Sequence, residues 1–194
     1  PTRAGEDYIE SEGVWRVLSW VSGRTLTRLR SPAEAEAAGR LLGQFQSALL
    51  DLEHTFVHVR VGVHDADKHL AGLRSALETQ ATHRLHAEGL PLAKRSTSDF
   101  DDKGAPAAAP DRVVHGDPKI SNMIFHRDRD EAVCLIDLDT LGRMPLEFEM
   151  GDAFRSWCGP AEEDPDGGFS EERFAAALRG WVPQCRDWVR PEAR

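Results

Sequence analysis

The run Val114-His115-Gly116-Asp117-Pro118-Lys119-Ile120-Ser121-Asn122 sets a histidine, an aspartate, a lysine and an asparagine in one tight connection. Fifteen residues beyond Asn122, the segment Leu135-Ile136-Asp137-Leu138-Asp139 supplies two carboxylates at alternating positions. Phosphoryl transfer asks a protein for this kind of set: hard oxygen ligands for magnesium, a carboxylate beside the attacking hydroxyl, and positive charge near the phosphoryl oxygens. Asp137 and the Asn122 amide oxygen suit magnesium. Asp117 is placed to act as general base, and Lys119 to offset charge on the transferring group. His115 is a further catalytic candidate, with hydrogen bonding inside the loop as its competing role. Asp139 reads either as a second metal ligand or as a polar strand end.

These residues need a hairpin to meet. The apolar runs Met123 to Phe125 and Val133 to Ile136, separated by the polar stretch His126 to Glu131, predict one, and its open end brings Asn122 back toward Asp137. A third short strand is expected at Arg112 to Val114, and a longer one over Val14 to Val21, rich in β-branched and aromatic residues. Ser31-Pro32-Ala33-Glu34 reads as an N-cap, a first-turn proline and a capping-box glutamate, opening a helix to about Leu52. Its apolar face is Ala38, Leu41, Leu42, Phe45, Leu49 and Leu50. Asp65 can cap a second helix ending near Gly89-Leu90-Pro91, and Arg95 to Pro110 has the composition of a loop or linker. Glu147 to Cys158 is a further helix. Ser170 caps a last one, expected to stop at Pro183.

His115-Gly-Asp117-x-Lys119-x-x-Asn122, followed by Ile136-Asp137-Leu138-Asp139-Thr140, resembles the aminoglycoside phosphotransferase and choline kinase superfamily, kin of the protein kinases. The wording Ile136-Asp-Leu-Asp-Thr-Leu141, then Glu149-Met-Gly-Asp-Ala-Phe-Arg155, resembles its N-acetylhexosamine 1-kinase branch. The resemblance implies an α+β fold: a helix-rich C-terminal lobe of the protein-kinase-like plan, with a small β-hairpin and a catalytic loop over residues 113–140. It implies ATP and Mg2+ as cofactors, Asp117 as catalytic base, Asn122 and Asp137 as magnesium ligands, and the anomeric hydroxyl of an amino sugar as acceptor. Aminoglycoside, choline and homoserine are the alternative acceptors within the same fold. The family's glycine-rich phosphate loop has no match here, and the first lysine in the chain is Lys68. The expectation is therefore a chain without the N-terminal lobe: residues 1–23 a residual strand and hinge, residues 24–194 the helical lobe.

A net charge of −9 and the lack of a basic run argue against nucleic acid as a partner. No apolar stretch approaches the ~20 residues of a membrane span, and no signal peptide is evident, so a cytoplasmic location is expected. Cys134, Cys158 and Cys185, widely spaced, read as free thiols. His54 and His58 stand four apart but lack the companions of a zinc site. The tryptophans read as packing residues, with a sugar-stacking role open for Trp157. Two other functions compete with a small-molecule kinase: a non-catalytic lobe that binds or self-associates through an exposed lobe interface, and a metal-dependent phosphohydrolase using the same carboxylates.

Overall fold

A computed structural model describes residues 5, 7–57, 59, 62–63, 65–103, 110–160 and 168–189. Among them the strands are β1 (Ile9–Glu10), β2 (Val14–Trp15), β3 (Arg24–Thr25), β4 (Asp111–Val114), β5 (Met123–Phe125), β6 (Ala132–Leu135) and β7 (Gly142–Pro145). The helices are α1 (Pro32–Ala48), α2 (Ala66–Thr79), α3 (His86–Lys103), α4 (Leu146–Cys158) and α5 (Glu171–Cys185). The architecture is mixed α+β, as expected. The chain divides into two compact units, one of Pro1–Ser47, Lys119–Asp137 and Arg155–Arg194, the other of Ala48–Pro118 and Leu138–Phe154.

In the first unit β5 and β6 form the anticipated antiparallel hairpin, Met123 opposite Leu135 and Ile124 opposite Cys134, with an irregularity between Ile124 and Phe125. β3 pairs with the other edge of β5. Met123 and Phe125 are fully buried while Ile124 between them is half-buried, the period-two pattern of a strand with one face on a core.

Helix α1 opens where expected, but its capping box is only half made. Ser31 Oγ accepts from the Glu34 amide at 3.2 Å. The Glu34 carboxylate turns outward from the helix to accept from the Arg30 amide at 2.7 Å and from Arg24 Nη2 at 2.8 Å. The buried stripe also differs from the expected face. Ala35, Ala38, Gly39, Leu42, Gly43 and Gln46 are buried, whereas Leu41, Phe45 and Leu49 are half-covered and Leu50 is exposed. The reason is helix α5. A Cβ added at Gly39 would land on the Ala177 carbonyl, and one at Gly180 on the Glu36 carbonyl, so the two backbones approach as only glycine permits. Trp181 Nε1 donates to Gln46 Oε1 at 2.7 Å, Ser47 Oγ to the Gln184 carbonyl at 2.7 Å, and Trp188 Nε1 to Ser47 Oγ at 2.9 Å.

Ser170 caps α5 as read, accepting from the Arg173 amide at 3.3 Å. Pro183 does not stop it. Its ring angle suits a helix and costs one donor, and the bonds from Ser47 to residues on either side of Cys185 hold the last turn. Cys158 and Cys185 are buried free thiols. Burial pushes both up, Cys185 to about 11 against the opposing hydrogen bond from Ser47, and Cys158 against the nearby Arg173 charge.

The strand expected over Val14 to Val21 is confined to Val14–Trp15, which pairs with β1 at two positions. Ladder partners, more than β-propensity, decide strand length. Beyond Trp15 the backbone leaves the ladder, and Val17, Leu18 and Trp20 are 95, 72 and 86 % exposed.

The second unit carries an antiparallel pair, β4 and β7, in register from Asp111 opposite Pro145 to Val114 opposite Gly142. β7 was hidden in the sequence, since Gly142-Arg-Met-Pro145 lacks a strand signature and is extended by its pairing with β4. The single helix expected from Asp65 is two. Asp65 Oδ1 accepts from the Lys68 amide at 2.9 Å as the N-cap of α2, and a turn at Gln80 to His86 separates α2 from α3. Helix α3 runs through most of the stretch expected as a loop. Arg74 of α2 grips Asp101 of α3 with two hydrogen bonds of 2.9 and 3.0 Å, and Arg95 lies one turn before Asp99. Residues 104–109 of that stretch lie outside the described residues, as do His58 and His64 of the weighed histidine cluster.

Candidate functional site

Asn122, Asp137 and Lys119 belong to the first unit. Lys119 ends the loop and precedes a single 3-10 turn, Ile120–Asn122, anchored by the Ile120 amide donating to Ser156 Oγ at 3.1 Å. Asn122 is 5 % exposed and leads directly into β5. The Ile136 amide donates to the Asn122 carbonyl at 2.9 Å, extending the β5–β6 ladder one step past the Met123–Leu135 pair. That bond fixes Asn122 and Asp137 at the same end of the sheet, as the hairpin prediction required. Asp137 is exposed and has φ +64°, the left-handed region that aspartate tolerates better than most side chains. Asp139 is exposed in the next short turn, Leu138–Thr140, in the second unit.

His115 and Asp117 also lie in the second unit, at the end of β4. His115 is completely buried, and its Nδ1 accepts from the Asp117 amide at 3.4 Å. Gly116 between them has φ +82°, and a Cβ there would strike the Thr140 carbonyl. Thr140 Oγ1 donates to the His115 carbonyl at 2.8 Å, and the Gly116 amide donates to Glu149 Oε2 at 3.0 Å. The loop bearing Asp117 is thus clamped from two sides.

Thr140 and Glu149 are the residues that reading for chemistry passed over. Glu149 is fully buried between Phe148 and Met150 in the first turn of α4. A lone acid on the apolar side of an amphipathic helix was the available signal, since a buried carboxylate must find donors. Trp157, left open as a sugar platform, is fully buried and is a core residue.

A cavity of about 380 Å³ in the first unit is lined by Trp20, Val21, Thr25, Ile124 and Ile136, among others. Its last wall residue is the immediate neighbour of Asp137. Among the described residues, no group of three or more His, Cys, Asp or Glu side chains forms a metal cage, and no helix is long and apolar enough to cross a membrane.

Residues 2–189 match the model of the phosphotransferase enzyme family. The chain belongs to that family. The chain shares its fold with a type VIII aminoglycoside-3'-phosphotransferase, with a TM-score of 0.51 at 22 % identity, covering 89 % of this chain and 62 % of that one. It is also similar to APH(3'')-Id of Streptomyces rimosus, solved with ADP and streptomycin, at 17 % identity and a TM-score of 0.45, over 84 % of this chain and 60 % of that one. The chain thus spans less than two thirds of the length of either structure. The fold is protein-kinase-like.

Proposed function

We propose that this phosphotransferase carries the catalytic machinery of an ATP-dependent kinase acting on a hydroxyl of a sugar or amino sugar. The observation that carries the proposal is the Asn122–Asp137 pair, held at one end of the hairpin by the Ile136–Asn122 bond, with Ile136, next to Asp137, lining a cavity whose wall is mostly apolar. Asn122 and Asp137, with Asp139 as the further candidate, would hold magnesium. Two hard oxygen donors fit, because Mg2+ commonly takes one or two protein carboxylates and completes its shell with water and phosphate oxygens. The ion would neutralise charge on the phosphates. Asp117 accepts the acceptor's hydroxyl proton as its oxygen bonds to the γ-phosphorus. The bond from that phosphorus to the β–γ bridging oxygen breaks, and ADP departs with the electron pair. Lys119 offsets charge on the moving phosphoryl group, and His115 holds the loop from within. On this reading residues 1–23 are the edge of a nucleotide-side lobe and its hinge, and the setting is cytoplasmic.

Isothermal titration of the chain with ATP tests this. Binding is expected with magnesium present, and Asp137→Ala, which removes a direct ligand, should weaken it by at least the ~10- to 100-fold that loss of a ligand's outer partner costs. Magnesium-independent binding, or binding unchanged in Asp137→Ala, would remove the metal role.

The exposure of Val17, Leu18 and Trp20 favours a second reading, in which this edge also mediates self-association. Light scattering should then show oligomers that revert to monomers in the double variant Val17→Ser, Leu18→Ser. A monomeric parent chain at high concentration would dispose of it.

A further inference from the structure

Glu34 is only 2 % exposed, and the cation against its carboxylate is the half-buried Arg24. Arg24 ties three elements of the first unit together. Its backbone lies in β3 opposite Phe125 of β5, its Nε donates to the His126 carbonyl just past β5 at 3.2 Å, and its Nη2 donates to Glu34 Oε1 in the first turn of α1 at 2.8 Å. The exposed Asp130 stands 4.0 Å from the same Nη2. Nη1 is, among the described residues, the one fully buried side-chain nitrogen or oxygen without a hydrogen-bond partner.

Stability is a poor reason for such a pair. The attraction of two buried charges does little more than offset their lost hydration, apolar side chains of similar volume commonly serve as well, and an unpaired buried donor adds to the cost. The best-attested role of a buried polar pair is to fix a register. Strand β3 needs that help. It has two residues, Arg24 opposite Phe125 and Thr25 opposite Ile124, too short a ladder to hold its own alignment. Gly23 lies so close to β5 that an added Cβ would strike the Phe125 carbonyl, yet glycine has no side chain with which to secure the approach. A slip of one residue would exchange the faces of Arg24 and Thr25. Those faces matter, because Gly23, Arg24 and Thr25 line the cavity of about 380 Å³ together with Ile124 and Ile136, and the residue after Ile136 is Asp137. We propose that the Arg24–Glu34 pair is a positioning device that sets the register of β3 on the hairpin, and so shapes the cavity that receives the nucleotide beside Asn122 and Asp137. The inference rests on the kinase reading and adds to it a pair of residues that acts through the cavity wall.

The test compares the full chain with the double variant Arg24→Met, Glu34→Gln. It removes both charges, keeps the volumes close, and leaves an oxygen for the Arg30 amide that Glu34 receives. In urea unfolding the double variant should show a midpoint equal to or above the parent's, because the desolvation cost is gone. In isothermal titration with ATP and magnesium its affinity should nevertheless be lower by about tenfold or more, since a misplacement of about 1 Å can cost ~10²-fold. Arg24→Lys keeps a charge for Glu34 but not the Nε bond to His126, and should lie between parent and double variant in affinity. A contact that only stabilises would move both readouts together. Parallel loss of midpoint and affinity, or an affinity in the double variant equal to the parent's, would overturn the proposal. So would Arg24→Lys binding ATP no better than the double variant. Each of these outcomes, with magnesium-dependent ATP binding by the parent, leaves the kinase reading standing. If ATP with magnesium does not bind the parent chain at all, the kinase reading fails and the positioning role falls with it.

Discussion

Asp117→Asn is expected to lower phosphoryl transfer by about 10²–10⁴-fold while leaving the binding of ATP with magnesium unchanged. The substitution keeps the shape of the side chain and removes its capacity to take a proton. Three bonds that hold the loop do not use that carboxylate: the Asp117 amide donates to His115 Nδ1, Thr140 Oγ1 donates to the His115 carbonyl, and Glu149 receives the Gly116 amide. The loss should therefore fall on kcat, with KM for ATP and the melting temperature near those of the parent. Steady-state transfer assays paired with nucleotide titration make the comparison. Comparable kcat values in variant and parent would show that Asp117 is not the base. Parallel losses in kcat and nucleotide affinity would make it part of the metal site.

The placing of the candidate residues was more legible in the sequence than the packing around them. Asn122 and Asp137 could be set at one end in advance because a hairpin brings its two ends together, and the structure puts Met123 opposite Leu135 beside them. Asp117 could be named because its spacing to Asn122 is short. Thr140 and Glu149 could not, because their work is done on backbone groups brought close by the β4–β7 pair, and β7 has no strand signature of its own. The loop read over Arg95 to Pro110 failed over its first part, up to Lys103, for a related reason. Ser, Asp, Gly, Ala and Pro over this stretch read locally as a loop, but the Arg74–Asp101 bonds are made across two helices and are invisible to a window of sequence. The strand read over Val14 to Val21 erred in the opposite direction, because strand-forming side chains do not make a strand without a partner edge.

The same limit applies to helix α1, where counting large apolar residues gave a face that the structure only half buries, and this leads to a prediction of opposite signs for one substitution type. Glycine to alanine in a helix ordinarily stabilises by about 0.5–1 kcal/mol, because alanine leaves less backbone freedom to lose on folding. Gly72, exposed in α2 with nothing within 4 Å of an added Cβ, should follow that rule, so Gly72→Ala should raise stability by about that amount. Gly180 should break it. Its added methyl would sit on the Glu36 carbonyl and at 2.9 Å from the Arg40 amide nitrogen, both backbone groups of α1 that cannot rotate away. Separating α1 from α5 to make room would stretch the 2.7 Å bond between Trp181 Nε1 and Gln46 Oε1 and expose both helix faces. Overpacking of this kind costs about 1–3 kcal/mol, enough to outweigh the gain in propensity, so Gly180→Ala should be destabilised by about 1 kcal/mol or more. Urea unfolding of the two variants beside the parent decides it through the midpoints. If both glycines shift the midpoint the same way, helix propensity governs the α1–α5 contact, and the small-residue stripe of Ala35, Ala38, Gly39 and Gly43 is not what sets the approach of the two helices.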